Sequence, residues 1–461
     1  TTSTCMEPLI TAPMKNLPRK LVLCIATLCL SSAPGLIGED WTNWRGPNHD
    51  GSSETAGAPG KFSPTENLKW KAPLPGPASC TPIILGGRVF LTTFDRKSGK
   101  VSALSLDRKN GKTLWSRVLG KGENDRRQGT ENFLAAPSPV TNGKLVVFLT
   151  GRGDLSAYDL AGEKSWGWNL QKRFGDFNCQ FGYGSSPLLA KGKIFIQVLH
   201  RDSRYRGLEK VGEFTRESYL LAIDPGTGKL LYQHQRKSDA RDESLEAYSS
   251  PVPRYLAGKT EILVSGGDTL SAHDPETGRE LWRHGGWNPE KINHWRMVTS
   301  PVSGGGLVYA SAPKFGPVIA IDSSGSATKV SWKLERDTTD TPTPLFYRGK
   351  LYVLNGRKRV LNCVDPKTGE VLRKSRLPGF RYMRASPTAA AGKIYMINAD
   401  GDVVVVAAHT DGDKPGEDGK PPAFKLLNNV KLGGYPARSS IPIAYGNLFI
   451  RTSEALYCFG K

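Results

Sequence analysis

Apolar residues fall in short runs cut by Gly, Asn and Asp, and no stretch carries the spacing of a long amphipathic helix. One pattern recurs. A small residue and a proline open an apolar run, a Gly turn follows, and a second apolar run comes after it. It reads "CTPIILGGRVFLTT" from Cys80, "PSPVTNGKLVVFLT" from Pro137, "SSPLLAKGKIFIQV" from Ser185, "SSPVPRYLAGKTEILVSG" from Ser249 and "TSPVSGGGLVYASA" from Thr299. Three more copies start at Pro342, Ala385 and Ser439. The marker prolines are Pro82, Pro139, Pro187, Pro251, Pro301, Pro344, Pro387 and Pro442, 43 to 64 residues apart. A proline at the first residue of a strand removes no ladder hydrogen bond.

A second pattern follows most copies of the first: "SLDRKNGKTLW" (105–115), "AYDLAGEKSW" (157–166), "AIDPGTGKLLY" (222–232), "AHDPETGRELW" (272–282), the looser "AIDSSGSATKVSW" (320–332) and "CVDPKTGEVLR" (363–373), with Arg373 in the Trp place. Around 404–426 it dissolves into an insertion rich in Asp, Gly and Pro. The carboxylates Asp107, Asp159, Asp224, Asp274, Asp322 and Asp365 suit turns whose backbone N–H groups they accept. Gly111, Gly228, Gly278 and Gly369 supply the positive φ, and Trp115, Trp166, Trp282 and Trp332 are large enough to dock one sheet on the next.

Together the patterns predict four antiparallel strands per unit, repeated eight times. That is an all-β fold, an eight-bladed β-propeller. The last unit ends at "ALYCFGK", one strand short, while "NLKWKAPLP" (67–75) resembles a lone fourth strand with Trp70 in the docking place. The N-terminal strand is therefore expected to complete the last blade and close the ring, removing an open edge.

Residues 1–38 are read as a leader. From Met14, "MKNLPRKLVLCIATLCLSSAPG" has a positive start, a short apolar core and small residues for cleavage, the form of a signal peptide. The residues before Met14 read as a start site placed too early. An uncleaved N-terminal anchor is the alternative, but the apolar run is short for a span. Residues 39–65 are read as an arm on the propeller and 66–461 as the propeller itself. The chain is expected in the periplasm or secreted, as a monomer with no transmembrane segment after cleavage.

The net charge is +20, or +18 once Lys15, Arg19, Lys20 and Glu7 of the leader are set aside. A basic surface favours anionic partners: acidic polysaccharide, lipid headgroups or an acidic protein. Nucleic acid is not expected outside the cytoplasm, and the Lys and Arg residues are scattered rather than blocked. Cys80, Cys179, Cys363 and Cys458 remain after the leader, with no Cys-x-x-Cys, so disulfide pairing is left open. The histidines show no metal spacing, and no metal site is read from the sequence.

The repeats resemble those of the pyrroloquinoline-quinone (PQQ) propeller superfamily, whose docking motif is Ala-x-Asp-x-x-Thr-Gly-x-x-x-Trp. The resemblance covers residues 66–461. The opening "WTNWRGPNHDG" (41–51) is similar to the start of exported bacterial PQQ-binding-like repeat proteins. It implies one of two functions. One branch, the quinoprotein alcohol and glucose dehydrogenases, holds PQQ over calcium on the propeller axis. The other, similar to the barrel-assembly lipoprotein of the outer membrane, binds partner proteins and no cofactor. The alcohol dehydrogenases cover the quinone with a disulfide of adjacent cysteines, and this chain has no adjacent pair, nor a Cys-x-x-Cys-His for haem.

A site is expected where the loops leading into the first strands gather around the channel mouth. These loops offer Arg126, Arg127, Glu131 and Asn132; Asp176, Asn178 and Tyr183; Glu246 and Tyr248; His294, Trp295 and Arg296; Arg381, Tyr382 and Arg384; and Tyr435 and Arg438. Arginines paired with aromatics suit an anionic planar ligand or an acidic loop. The same residues could instead pack the funnel or bond neighbouring blades. The function expected is binding or scaffolding of a cell-envelope protein or anionic ligand through this face, without a cofactor. The alternatives are a PQQ- and calcium-dependent dehydrogenase of an alcohol or sugar, and a binder of acidic polysaccharide.

Overall fold

A computed structural model describes residues 39–122, 134–205, 211–256, 258–412 and 419–461. The leader, and with it Arg126, Arg127, Glu131 and Asn132, lie outside them. Eight four-stranded antiparallel sheets follow one another along the chain as an eight-bladed β-propeller. Blades 1 to 7 span residues 83–121, 140–169, 188–235, 252–284, 302–334, 345–376 and 388–431. Blade 8 takes Ile443–Ala444, Asn447–Arg451 and Ala455–Phe459 from the C-terminus and Leu68–Pro73 from the N-terminal side. Trp70 lies opposite Cys458 and Pro73 opposite Ala455, so the ring closes as the sequence predicts.

Burial follows each strand's place in its blade. Third strands such as Tyr219–Ile223 and Val360–Val364 are buried throughout, because a neighbouring blade covers each face. Outer strands such as Leu230–Gln235 alternate, since they are half-solvated. In blades 1 to 7 the ladder between third and fourth strands slips just before the turn, at Ala222/Ile223 in blade 3 and at the matching place in the others. A bulge there adds twist to the outer strand that carries the docking Trp.

The core is divided among the seams between blades, with one apolar cluster joining blades 2 and 3 and another joining blades 5 and 6. The docking indoles act across these seams. Trp70, Trp115, Trp166 and Trp332 donate their Nε1–H to Arg108, Leu160, Pro225 and Pro366 carbonyls in the next blade's turn. Tyr232 donates its hydroxyl to the Pro275 carbonyl in the same way. The turn glycine has a second role beyond its backbone. At Gly369, φ is +79°, and a Cβ would stand 2.7 Å from the Trp332 indole. The indole lies flat on the space a side chain would fill.

Three seams differ from the repeat. At the one between blades 6 and 7, Arg373 in the Trp place donates to the Ala423 carbonyl. Blade 5 has "DSSGSATK" in place of the Thr-Gly turn, and Trp282 donates to Glu261 of its own blade. Buried Arg254 bridges that seam instead, from Glu261 to Ser323 and the Gly306 carbonyl of blade 5. Blade 8 has no turn at all, and residues 58–62 fill the place: Phe62 packs on Phe459 at 4.7 Å, and the Pro59 carbonyl accepts from Tyr395.

Upstream, the chain runs along the innermost strands. Trp41 exchanges backbone hydrogen bonds with Ile84 of blade 1, Thr42 accepts from Thr141 of blade 2, and Ser53 donates to Ala389 of blade 7. Arg45, 2% exposed, donates to the Pro344 and Pro387 carbonyls where blades 6 and 7 begin. Burial lowers its pKa to about 10. The stretch "WTNWRG" therefore lies at the axis and bonds residues of blades 1, 2, 6 and 7.

Candidate functional site at the channel mouth

Each blade begins with a hydroxyl residue, beside the marker proline in blades 1 to 7 and two residues before it in blade 8, and those of blades 1 to 7 form a belt. Thr81 N–H donates to Ser138 Oγ, Ser138 N–H to Ser186 Oγ, Ser186 N–H to Ser250 Oγ, and Ser250 N–H to Ser300 Oγ. Ser300 N–H donates to Thr343 Oγ1, and Thr343 N–H to Ser386 Oγ. All these bonds are 2.8 to 3.0 Å and buried. Innermost strands have no ladder partner on the axis side, so the next blade's hydroxyl satisfies their amides.

Two residues earlier in each blade, the same face of the backbone points to the mouth. The eight equivalents are Ser79, Ala136, Gly184, Tyr248, Val298, Thr341, Arg384 and Arg438, and all line one cavity of about 150 Å³. Trp44 lines it too, and also lines a second cavity of about 20 Å³ below, between the arm and blades 3 and 4. Trp44 is thus the floor of the funnel. The rim is one-sided: Arg384 and Arg438 stand on adjacent blades, and in a ring of eight Tyr248 of blade 4 faces Arg438 of blade 8. Arg384 lies over the Tyr382 ring, 4.8 Å from its centroid.

Tyr248 is held by a buried network. Its hydroxyl donates to Glu246 Oε2 and accepts from Phe181 N–H. Glu246, wholly buried, also accepts from Gln180 N–H and from Arg201 Nε. Burial holds the Glu246 carboxyl above its usual range, against the opposing pull of Tyr248 and Arg201. Burial and the Glu246 charge push the Tyr248 hydroxyl well above its ordinary value. The network is a support for the rim. Arg201, its cation, follows a second strand 45 residues before Glu246, and no local pattern in the sequence marks it.

The other expected residues are spread out. Asp176 accepts from Val211 and Gly212 N–H groups, and Asn178 bonds the Arg201 and Ser203 carbonyls, so both staple loops. Tyr183 is core, stacked on Phe177 at 4.3 Å and donating to the Gln197 carbonyl. Arg296 pairs with Glu243 and lies over Phe181. His294 is exposed, and the Trp295 amide donates to Ser244. Arg381 sits 3.4 Å from Asp400 and over the Tyr435 ring. Among the candidates, Tyr248, Arg384 and Arg438 converge on the funnel.

Folding also gathers His234 of blade 3 with His273 and Glu280 of blade 4, within 4.8 Å. Both His273 nitrogens are engaged, Nδ1 by the Gly278 carbonyl and Nε2 by Ser271, and Arg283 holds both Glu280 oxygens. That donor set is spent inside the protein. The four described cysteines are buried free thiols, with Cys363 and Cys458 pushed up to about 12 by burial.

A family model described as outer membrane protein assembly factor BamB matches residues 62–196 and 184–375. The chain belongs to this family. Solved structures agree on the fold. BamB from Moraxella catarrhalis superposes with a TM-score of 0.56 at 13% identity, over 87% of this chain and 98% of that one. Quinohemoprotein alcohol dehydrogenase from Comamonas testosteroni gives 0.60 at 13% identity, over 91% and 80%. The computationally designed Ika8 protein gives 0.53 at 12% identity, over 85% and 99%. No curated protein sequence matches the chain. No helix among the described residues is long and apolar enough to cross a membrane.

Proposed function

We propose that this PQQ-like propeller is a binding protein of the cell envelope, and that it takes an acidic loop or other anionic group at the channel mouth. The observation that carries this reading is the pair Arg384 and Arg438, set side by side over a funnel whose other lining groups are hydroxyls, small side chains and two aromatics. Guanidinium groups match carboxylates by charge and by fork geometry. The hydroxyl tier adds donors, and Trp44 offers a flat apolar floor. The family's description, which names an outer membrane assembly factor, supports the envelope location.

Quinone oxidation is the second reading. Calcium calls for a set of oxygen ligands rich in carboxylates. Among the described residues lining the funnel there is no carboxylate and no Asn side chain. The described lining residues do not make up such a set, and no step is derived through a PQQ–calcium centre.

Calorimetry with a hexaglutamate peptide at low salt tests the reading. Binding should weaken as salt rises and fall about tenfold or more in the Arg384→Gln/Arg438→Gln variant. Stoichiometric binding of PQQ with calcium and dye-linked turnover of an alcohol or sugar would overturn it in favour of the dehydrogenase.

A further inference from the structure

Outside the funnel, one corner of the mouth face combines features that neither the fold nor the site uses. Phe380 is 96% exposed, while the other exposed large apolar side chains lie between 39% and 62%. Its loop is pinned. Leu377, 4% exposed, donates its N–H to the Arg359 carbonyl, and Met383, 1% exposed, donates to the Gly356 carbonyl. Arg359 Nη1 bonds the Phe380 carbonyl itself. The ring is therefore presented by fixed backbone.

Cations surround it. The hairpin that holds Arg359 carries Arg357 and Lys358, both exposed, and Arg376 pairs with Val360 on the adjoining strand. Arg381 follows Phe380 and lies over the 44% exposed Tyr435 ring. Asp337 is shared by Lys358 and Lys374, and Asp400 meets Arg381. Among the described residues, no ion pair engages Arg357 or Arg376. The sequence splits these cations between "GRKRV" and "LRKSRLPGFR", so they read as scattered until the strands pair.

We propose that this corner of blade 6 is a contact site for an anionic bilayer surface, with Phe380 entering the headgroup region and Arg357, Lys358, Arg376 and Arg381 facing lipid phosphates. Charge complementarity carries the proposal. Aromatic side chains seek the membrane interface, and cations beside it are drawn to anionic lipid. Phe380 projects from a loop tip and lines neither axial cavity, so this corner offers no pocket for a partner's side chain, and the cations beside the ring are placed as headgroup contacts would be. Phe380 is four residues before Arg384, so a partner held at the mouth would be held beside the membrane.

The test is co-sedimentation of the full chain with phosphatidylcholine vesicles, with and without phosphatidylglycerol. Binding is expected only with phosphatidylglycerol, and it should be lost at high salt. Phe380→Ser and Arg357→Gln/Arg376→Gln should each weaken it about tenfold or more. Phe380→Trp should retain it, and Arg384→Gln/Arg438→Gln should leave it unchanged, which separates this site from the funnel. No binding to phosphatidylglycerol vesicles, or binding indifferent to both corner variants, would overturn the proposal.

Discussion

Two tiers of the channel, two residues apart along every blade, follow opposite rules. The tier at Thr81, Ser138, Ser186, Ser250, Ser300, Thr343, Ser386 and Ser440 carries a hydroxyl eight times. The rim above it carries Ser79, Ala136, Gly184, Tyr248, Val298, Thr341, Arg384 and Arg438, with little in common. Repeats inside one chain allow equivalent positions to be compared directly. Where all eight agree, the geometry of the fold demands the residue; at Ser138, Ser186, Ser250, Ser300, Thr343 and Ser386 it accepts from the neighbouring blade's amide. Where they diverge in positions open to solvent, the fold makes no such demand, and another role can set the residue.

The largest expected effect lies at the positions that agree. Trp332→Ala removes a buried indole that touches the next blade's turn and should cost about 3–5 kcal/mol in denaturant unfolding. Val330→Ala, 41% exposed two residues away, should stay within about 0.5 kcal/mol. Equal losses from both would remove the distinction between docking and surface positions.

His273 sharpens the comparison, because it diverges without being open. Its counterparts just before the repeated Asp are Leu106, Tyr158, Ile223, Ile321 and Val364. It is wholly buried, and burial lowers its pKa to about 4. The unfolded chain therefore binds the proton more readily. Stability contributed by neutral His273 is present above pH about 6.5 and is lost as pH falls toward about 4, by at most about 3 kcal/mol. His273→Leu should flatten that part of the pH–stability curve and leave hexaglutamate binding untouched. An unchanged slope would show that burial does not shift this imidazole.

Gly369→Ala should cost about 1 kcal/mol or more, because φ is +79° and the new Cβ would press on the Trp332 indole. An Ala tolerated without loss would mean the indole does not lie on the turn.

The fold was legible because seam chemistry is local. The Asp, the Gly and, in most copies, the Trp stand within about a dozen residues, and the pattern announces itself by repetition. The exceptions were not legible. Arg254 takes over the blade 4–5 seam from outside the motif, and Trp282 keeps its place in the pattern while its N–H turns to Glu261. The rim was half legible. Sequence reasoning placed Tyr248, Arg384 and Arg438 on mouth loops, but it also nominated Asp176, Asn178 and Tyr183, whose polar atoms serve loops and core. Polar residues in loops look alike until the contacts show which backbone groups they satisfy. Trp44 lies in the arm, and its place as the funnel floor depends on the arm running along the axis.

The most direct measurement pairs Ser386→Ala with Arg384→Gln, two residues apart in blade 7, and records thermal stability and hexaglutamate affinity for each. Ser386→Ala leaves the buried Thr343 amide without its acceptor and should cost about 1–3 kcal/mol while affinity stays constant. Arg384→Gln should cost less stability than Ser386→Ala and weaken binding several-fold. The reverse pattern, with the belt variant losing affinity and the rim variant losing stability, would contradict the account.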